Sequence, residues 1–202
     1  MKAWAEFHSL VMPSVLGCPI PTVDNAIRLT ARDFCLRTRE WRESESFTAP
    51  GVIQQFDIDI PTGTELVRIV SVDVAGEPLD IFGRGELPAS WATCAPSNGL
   101  YHVGTDIYML FPAPIAGAVV TVETALMPSN TGTGISDDVF ARHAEAIASG
   151  ALSRLMKLPR QPWSDINLAV LHAGEYERSV HLAANCDFIQ TAPDQRRVQP
   201  QG

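Results

Sequence analysis

Five histidines, a pair of aspartates, four cysteines and a few serines are the side chains with which this chain could do chemistry. His8, His102, His143, His172 and His181 form neither an H-E-x-x-H nor an H-x-H arrangement, and His143 and Glu145, two apart on a helix, point to different sides. His172 and His181 are nine apart, which puts them on opposite sides of a helix, so a shared metal is not expected. Asp57 and Asp59 share one strand face, where paired carboxylates can run acid-base chemistry or hold a divalent cation. Their alternation with Phe56, Ile58 and Ile60 also explains them as the polar side of a half-buried strand, and that is the reading taken. Ser97 and Ser149 lack the G-x-S-x-G elbow, and Gly83-Arg84-Gly85 and Gly132-Thr133-Gly134 lack the lysine or third glycine of a phosphate loop. Cys18, Cys35, Cys94 and Cys186 contain no C-x-x-C pair and read as reduced packing residues. No nucleophile, base and orienting partner stand at a recognisable spacing, so the expectation is a protein that is not an enzyme, with no catalytic residue, metal or cofactor.

The elements that carry these residues are three helices and a set of strands. Ile27, Ala31, Phe34, Thr38 and Trp41 recur at steps of four and three, predicting a helix from about Pro21 to Glu43 with Thr22 or Asp24 as its cap. From Val52 to Leu126 the period changes to two. Strands are expected around Phe56–Ile60, Leu66–Val74, Glu77–Phe82, His102–Phe111 and Ala118–Ala125, with Ala75-Gly76 as a turn and antiparallel pairing throughout. Met127 to Gly134 reads as a linker. A second helix starts at the cap Ser136, with Asp137 and Asp138 in its first turn, and stops before Pro159. A third opens at Pro162-Trp163-Ser164-Asp165, presents Ile166, Ala169, Val170, Ala173, Tyr176, Val180 and Ala184, and fades near Cys186 to Ile189. The expected fold is α+β: a helical bundle of three or slightly more helices from residues 1–45 and 127–190, an inserted antiparallel β module at 46–126, and a flexible C-terminal tail at 191–202.

The 202 residues carry 23 acids and 15 bases, for a net charge of -8, and 13 of the bases are arginine. Nine acids face only Arg68 and Arg84 between Ser46 and Leu126, so the β module is acidic. A surface of that sign does not grip nucleic acid broadly, because affinity there rests on neutralising phosphates. No apolar run reaches the roughly 18 to 20 residues that span a bilayer, and the N-terminus lacks the apolar core of an export signal, so a soluble, unexported chain without membrane contact is expected.

The helical ends carry a resemblance. Cys18-Pro19-Ile20-Pro21-Thr22-Val23-Asp24-Asn25-Ala26-Ile27-Arg28, running into Ala31-Arg32-Asp33-Phe34-Cys35 and Trp41, resembles the start of head-tail adaptor (connector) proteins of tailed bacteriophages. Gly150-Ala151-Leu152-Ser153-Arg154-Leu155-Met156-Lys157-Leu158-Pro159, then Pro162-Trp163-Ser164-Asp165, Leu168-Ala169 and Tyr176-Glu177, is similar to their final helix pair. The strand Val67 to Val74 with Ala75-Gly76-Glu77-Pro78-Leu79 fits the β module that some of them insert.

This resemblance implies a homo-oligomeric ring, usually of twelve copies, between the portal of the head and the tail tube, nozzle or terminator protein, with DNA passing through unread. It places the protein in the virion neck, after assembly in the host cytoplasm. Arg28, Arg32, Arg39, Arg42 and Trp163 are then candidate subunit contacts, since a planar guanidinium suits a neighbour's carboxylate. A plain solvated helix face, paired with Asp33, Glu40 and Glu43, accounts for the arginines as well. Asp57 and Asp59 are candidate channel-facing acids. Arg196, Arg197 and Val198 are candidate portal-docking residues in a tail that orders on contact. Two other readings stand beside this one: a tail terminator or other tail ring, and a hydrolase or glycan-binding module using Trp91, Tyr101 and Tyr108 as stacking platforms.

Overall fold

The computed structural model describes residues 1–51, 55–83, 98–102 and 107–191. Its elements in order are β1 (Lys2–Ala3), a 3-10 turn (Trp4–Phe7), α1 (His8–Val11), a second 3-10 turn (Met12–Ser14), α2 (Ile20–Thr38), β2 (Arg42–Thr48), β3 (Gln55–Asp57), β4 (Thr64–Val74), β5 (Glu77–Pro78), β6 (Asp80–Phe82), β7 (Gly99–His102), β8 (Ile107–Phe111), β9 (Val119–Pro128), β10 (Gly134–Ile135), α3 (Asp137–Met156) and α4 (Ile166–Thr191). The fold is α+β, a helical bundle with mostly antiparallel sheets. Internal contacts divide the chain into Met1–Trp41 with Met127–Gly202, and Arg42–Leu126. Among the described residues no helix is long and apolar enough to cross a membrane.

In the helical unit, Val23, Ile27, Thr30, Ala31, Phe34 and Thr38 put the inner face of α2 out of solvent. Thr30 and Thr38 are tolerated there because each hydroxyl donates to a carbonyl one turn back, Ala26 and Phe34, at 2.8 Å. The helix starts at Ile20, ahead of the expected caps Thr22 and Asp24, with Pro19 in the cap position, no side-chain cap and Pro21 in the first turn. It also ends early. Arg39 adopts φ 58°, a left-handed cap whose N–H reaches the carbonyl of Cys35 at 2.9 Å. Trp41 therefore lies beyond the helix while remaining buried, and Arg39 and Arg42 do not share a helix face with Arg28 and Arg32.

Ser136 caps α3 as expected, its hydroxyl accepting the Val139 N–H at 3.2 Å. Asp165 caps α4, its carboxylate accepting the N–H groups of Asn167 and Leu168 at 2.9 and 3.1 Å. Gly150 lets α2, α3 and α4 meet: an added Cβ would stand 2.5 Å from Thr30 and 2.8 Å from the Tyr176 ring. The segment read as a linker is pinned instead. Gly134 and Ile135 pair with Ala3 and Lys2, and the indole N–H of Trp4 donates to the Gly132 carbonyl at 2.8 Å. α4 continues through the expected fading point to Thr191, and Ile166 and Val170, expected inside, are both 63% exposed.

In the β unit two four-stranded sheets have the orders β2-β9-β4-β5 and β3-β8-β7-β6. Ala75 and Gly76 both take positive φ, 54° and 87°, closing the β4–β5 hairpin in the twist that two-residue hairpins prefer. What was read as one strand from His102 to Phe111 is two antiparallel strands, β7 and β8, in register from Gly99 with Phe111 to His102 with Tyr108. The β6–β7 pair is parallel, from Asp80 with Gly99 to Phe82 with Tyr101, an exception to the antiparallel expectation. β2 was not foreseen as a strand from Arg42; it lies along β9 from Arg42 with Ala125 to Thr48 with Val119. The core gathers Ile58, Ile69, Val72, Leu100, Tyr108, Leu110, Val120 and Val122.

Candidate functional site

The polar chemistry of the helical unit holds helices together. The hydroxyl of Tyr176 on α4 donates to the Asp33 carboxylate of α2 at 2.7 Å, and lies 3.4 Å from the Thr30 carbonyl. Burial, then the bond to Asp33, pushes this phenol above its ordinary range. Arg37 grips Glu177 with two N–H groups at 2.9 and 2.5 Å, and that bond holds the Glu177 carboxyl below its ordinary value. Glu40 takes Arg142 at 3.2 Å and stands 3.5 Å from His143. Burial, with Glu40 adding to it, pushes the Cys35 thiol up to about 12, and burial also raises Cys18. Both are free and buried, as packing residues are. Among the described residues no cluster of three or more His, Cys, Asp or Glu could hold a metal.

The candidate subunit contacts sit in different settings. Arg28, half-buried on α2, donates to Asn25 at 2.7 Å. Arg32 reaches the Pro128 carbonyl at 2.5 Å, within its own chain. Arg39 forms the left-handed end of α2, and Arg42, on β2, lies 3.4 Å from Glu123. Trp163 is half-buried with its indole N–H turned inward. A helix continued past Thr38 to Glu43 would carry all four arginines; α2 ends at Thr38, so it carries only Arg28 and Arg32 of them.

Asp57 and Asp59 are both exposed, and Asp57 accepts the N–H of Ile58 at 3.0 Å. β3 ends at Asp57, so the two acids are not neighbours along one strand. The glycan-stacking reading loses two of its platforms. Tyr101 is 2% exposed and stacked on Phe82 with ring centres 4.6 Å apart, and Tyr108 is 7% exposed and stacked on His102. Both faces of such rings are used in packing, which leaves none for a sugar. Trp91, Cys94, Arg196, Arg197 and Val198 lie outside the described residues.

Patterning by burial passed over the outer faces of the helices. Leu29 and Leu36 on α2 and Leu168, Leu171 and Leu182 on α4 are between 40% and 63% exposed. Their spacing is visible in the sequence, but an apolar stripe there has the same period as one that turns inward. A groove lined by Glu6, Leu10, Phe140, Ala141, Ala144 and Glu145 lies beside α1 and α3.

Compared with known families, the chain matches the family model described as SU10 adaptor protein over residues 13–199. No curated protein matches it.

Proposed function

The chain belongs to the SU10 adaptor protein family, and from that premise we propose that it builds the neck of a phage particle: a ring, of twelve copies by the family resemblance, that joins the portal of the head to the tail and continues the DNA channel. An adaptor of this kind is a structural virion protein and works by contact, without turnover or cofactor. The family match over nearly the whole chain is the observation that carries the reading.

The two units divide the work. The helical unit builds the ring, and the outer face of α2, where Leu29 and Leu36 are exposed beside Arg28 and Arg32, makes the side-by-side contact. Apolar area supplies the affinity of such a contact and guanidinium groups its orientation. The β unit borders the channel. Its exposed Asp57, Asp59, Glu77 and Asp80 repel a polyanion, so DNA slides past without sequence-specific binding. Residues 191–202, with Arg196, Arg197 and Val198, dock on the portal, and the tail tube, nozzle or terminator protein binds the opposite end.

Gradient centrifugation of the full chain mixed with the portal of the same virus tests this. Co-sedimentation with the portal is expected, and a chain ending at Thr191 should lose it. A chain that stays at the top of the gradient whether or not portal is present would contradict the proposal.

A further inference from the structure

α4 has two faces of different kinds. Ala169, Tyr176, Val180 and Ala183 are buried in the bundle. On the other side Leu168, Leu171 and Leu182 are 43%, 56% and 63% exposed, with Glu175 and Arg178 exposed between them; the Glu175 carboxylate also accepts the Ser149 hydroxyl at 3.4 Å and stands 3.3 Å from His172. The steps from Leu168 through Leu171, Glu175 and Arg178 to Leu182 are 3, 4, 3 and 4 residues, the a/d spacing of a coiled-coil seam. A seam of that spacing on a solvent-facing helix fits another helix, and its order says which one.

From Leu171 to Leu182 the order is palindromic, and the layer beyond sets Leu168 against Asn185 of the second copy. Laid antiparallel on a copy of itself about a centre between Tyr176 and Glu177, the seam puts Leu171 against Leu182 of the second copy and Glu175 against Arg178 of the second copy, and the same again in reverse. Each layer joins an a position to a d position, and each central layer joins a carboxylate to a guanidinium. Against the α2 seam of Asn25, Leu29, Arg32 and Leu36, the antiparallel register that sets Leu171 on Leu36 and Glu175 on Arg32 leaves Arg178 on Leu29 and Leu182 on Asn25. The self-match is the better one.

Two further observations point the same way. Arg178 has no hydrogen-bond or ion-pair partner among the described residues, although it stands next to Glu177 and three residues from Glu175. Gly174 lies in the helix interior, where glycine weakens a helix, yet a Cβ there would meet nothing within 4 Å. Packing within the chain does not call for that glycine. In the antiparallel register Gly174 flanks the charged layers, where its missing side chain lets the second backbone approach.

We propose that two copies of this chain pair through α4 in an antiparallel, two-fold contact. An isologous contact of this kind differs from the head-to-tail contacts of a closed ring, so it belongs to the unassembled chain and does not rest on the neck reading.

Sedimentation velocity of the full chain without portal, from low concentration up to about 100 µM, reads the pairing directly. A monomer–dimer equilibrium is expected. Leu171→Glu, Glu175→Arg and Arg178→Glu should each shift it to monomer by at least tenfold in Kd, with unchanged helical circular dichroism. The double variant Glu175→Arg/Arg178→Glu should recover the dimer, because the swap keeps both layers complementary. A wild-type chain that stays monomeric, a dimer that persists in Leu171→Glu, or a double variant no better than its singles would overturn the proposal.

Discussion

Tyr176 ties the three long helices at one side chain. It sits on α4, its hydroxyl holds Asp33 of α2, and its ring lies against the bare backbone of Gly150 on α3. Tyr176→Phe keeps the ring and removes the bond to a charged acceptor, so urea unfolding should show a loss of about 1.5 to 3 kcal/mol. The pH dependence has a definite sign. The phenol titrates higher in the folded chain than its ordinary value of about 10, so its contribution is intact below that value and is lost as pH rises above it. The wild-type chain should therefore lose more stability than Tyr176→Phe between neutral and strongly alkaline pH. Glu177 works in the opposite direction. Its lowered carboxyl adds stability above the ordinary glutamate value and loses it as pH falls through the folded value, by an amount kept small by its exposure.

At the level of elements, caps and turns decided what could be read in advance. Ser136 with Asp137 and Asp138 declared the start of α3, and Ser136→Ala should lower stability by about 1 kcal/mol, readable as a shift of the urea midpoint at unchanged slope. Ala75-Gly76 declared the β4–β5 hairpin in the same way. The end of α2 declared nothing. Arg39 takes the left-handed conformation that glycine or asparagine usually marks, and Trp41 falls three residues past Thr38, as it would on a continuing helix. β2 stayed hidden because Arg42-Glu43-Ser44-Glu45-Ser46 has no apolar alternation; its order comes from the ladder with β9, a partner some 80 residues away. The pairing of Gly134 and Ile135 with β1 was hidden for the same reason, since two residues are too few to carry a period.

For the whole molecule, the α+β class and the likeness of the helical ends were legible in residues that recur at fixed spacing or cap an element. The assembly surfaces were less so, because a face that waits for another chain has the same composition as one that meets solvent. Arg32 and Arg42 illustrate this: their residue type suits contact with a neighbour, and each also has a partner in its own chain, Pro128 and Glu123. Exposure marks Leu29, Leu36, Leu168, Leu171 and Leu182 more clearly, and exposure becomes visible only once the helices are packed. The neck reading requires this chain to close into a ring on the portal. Class averages of the full chain bound to its portal, viewed along the axis in negative stain, test it most directly. A twelvefold ring stacked below the portal and concentric with its channel is expected. A threefold or sixfold ring, or single copies scattered on the portal rim, would contradict it.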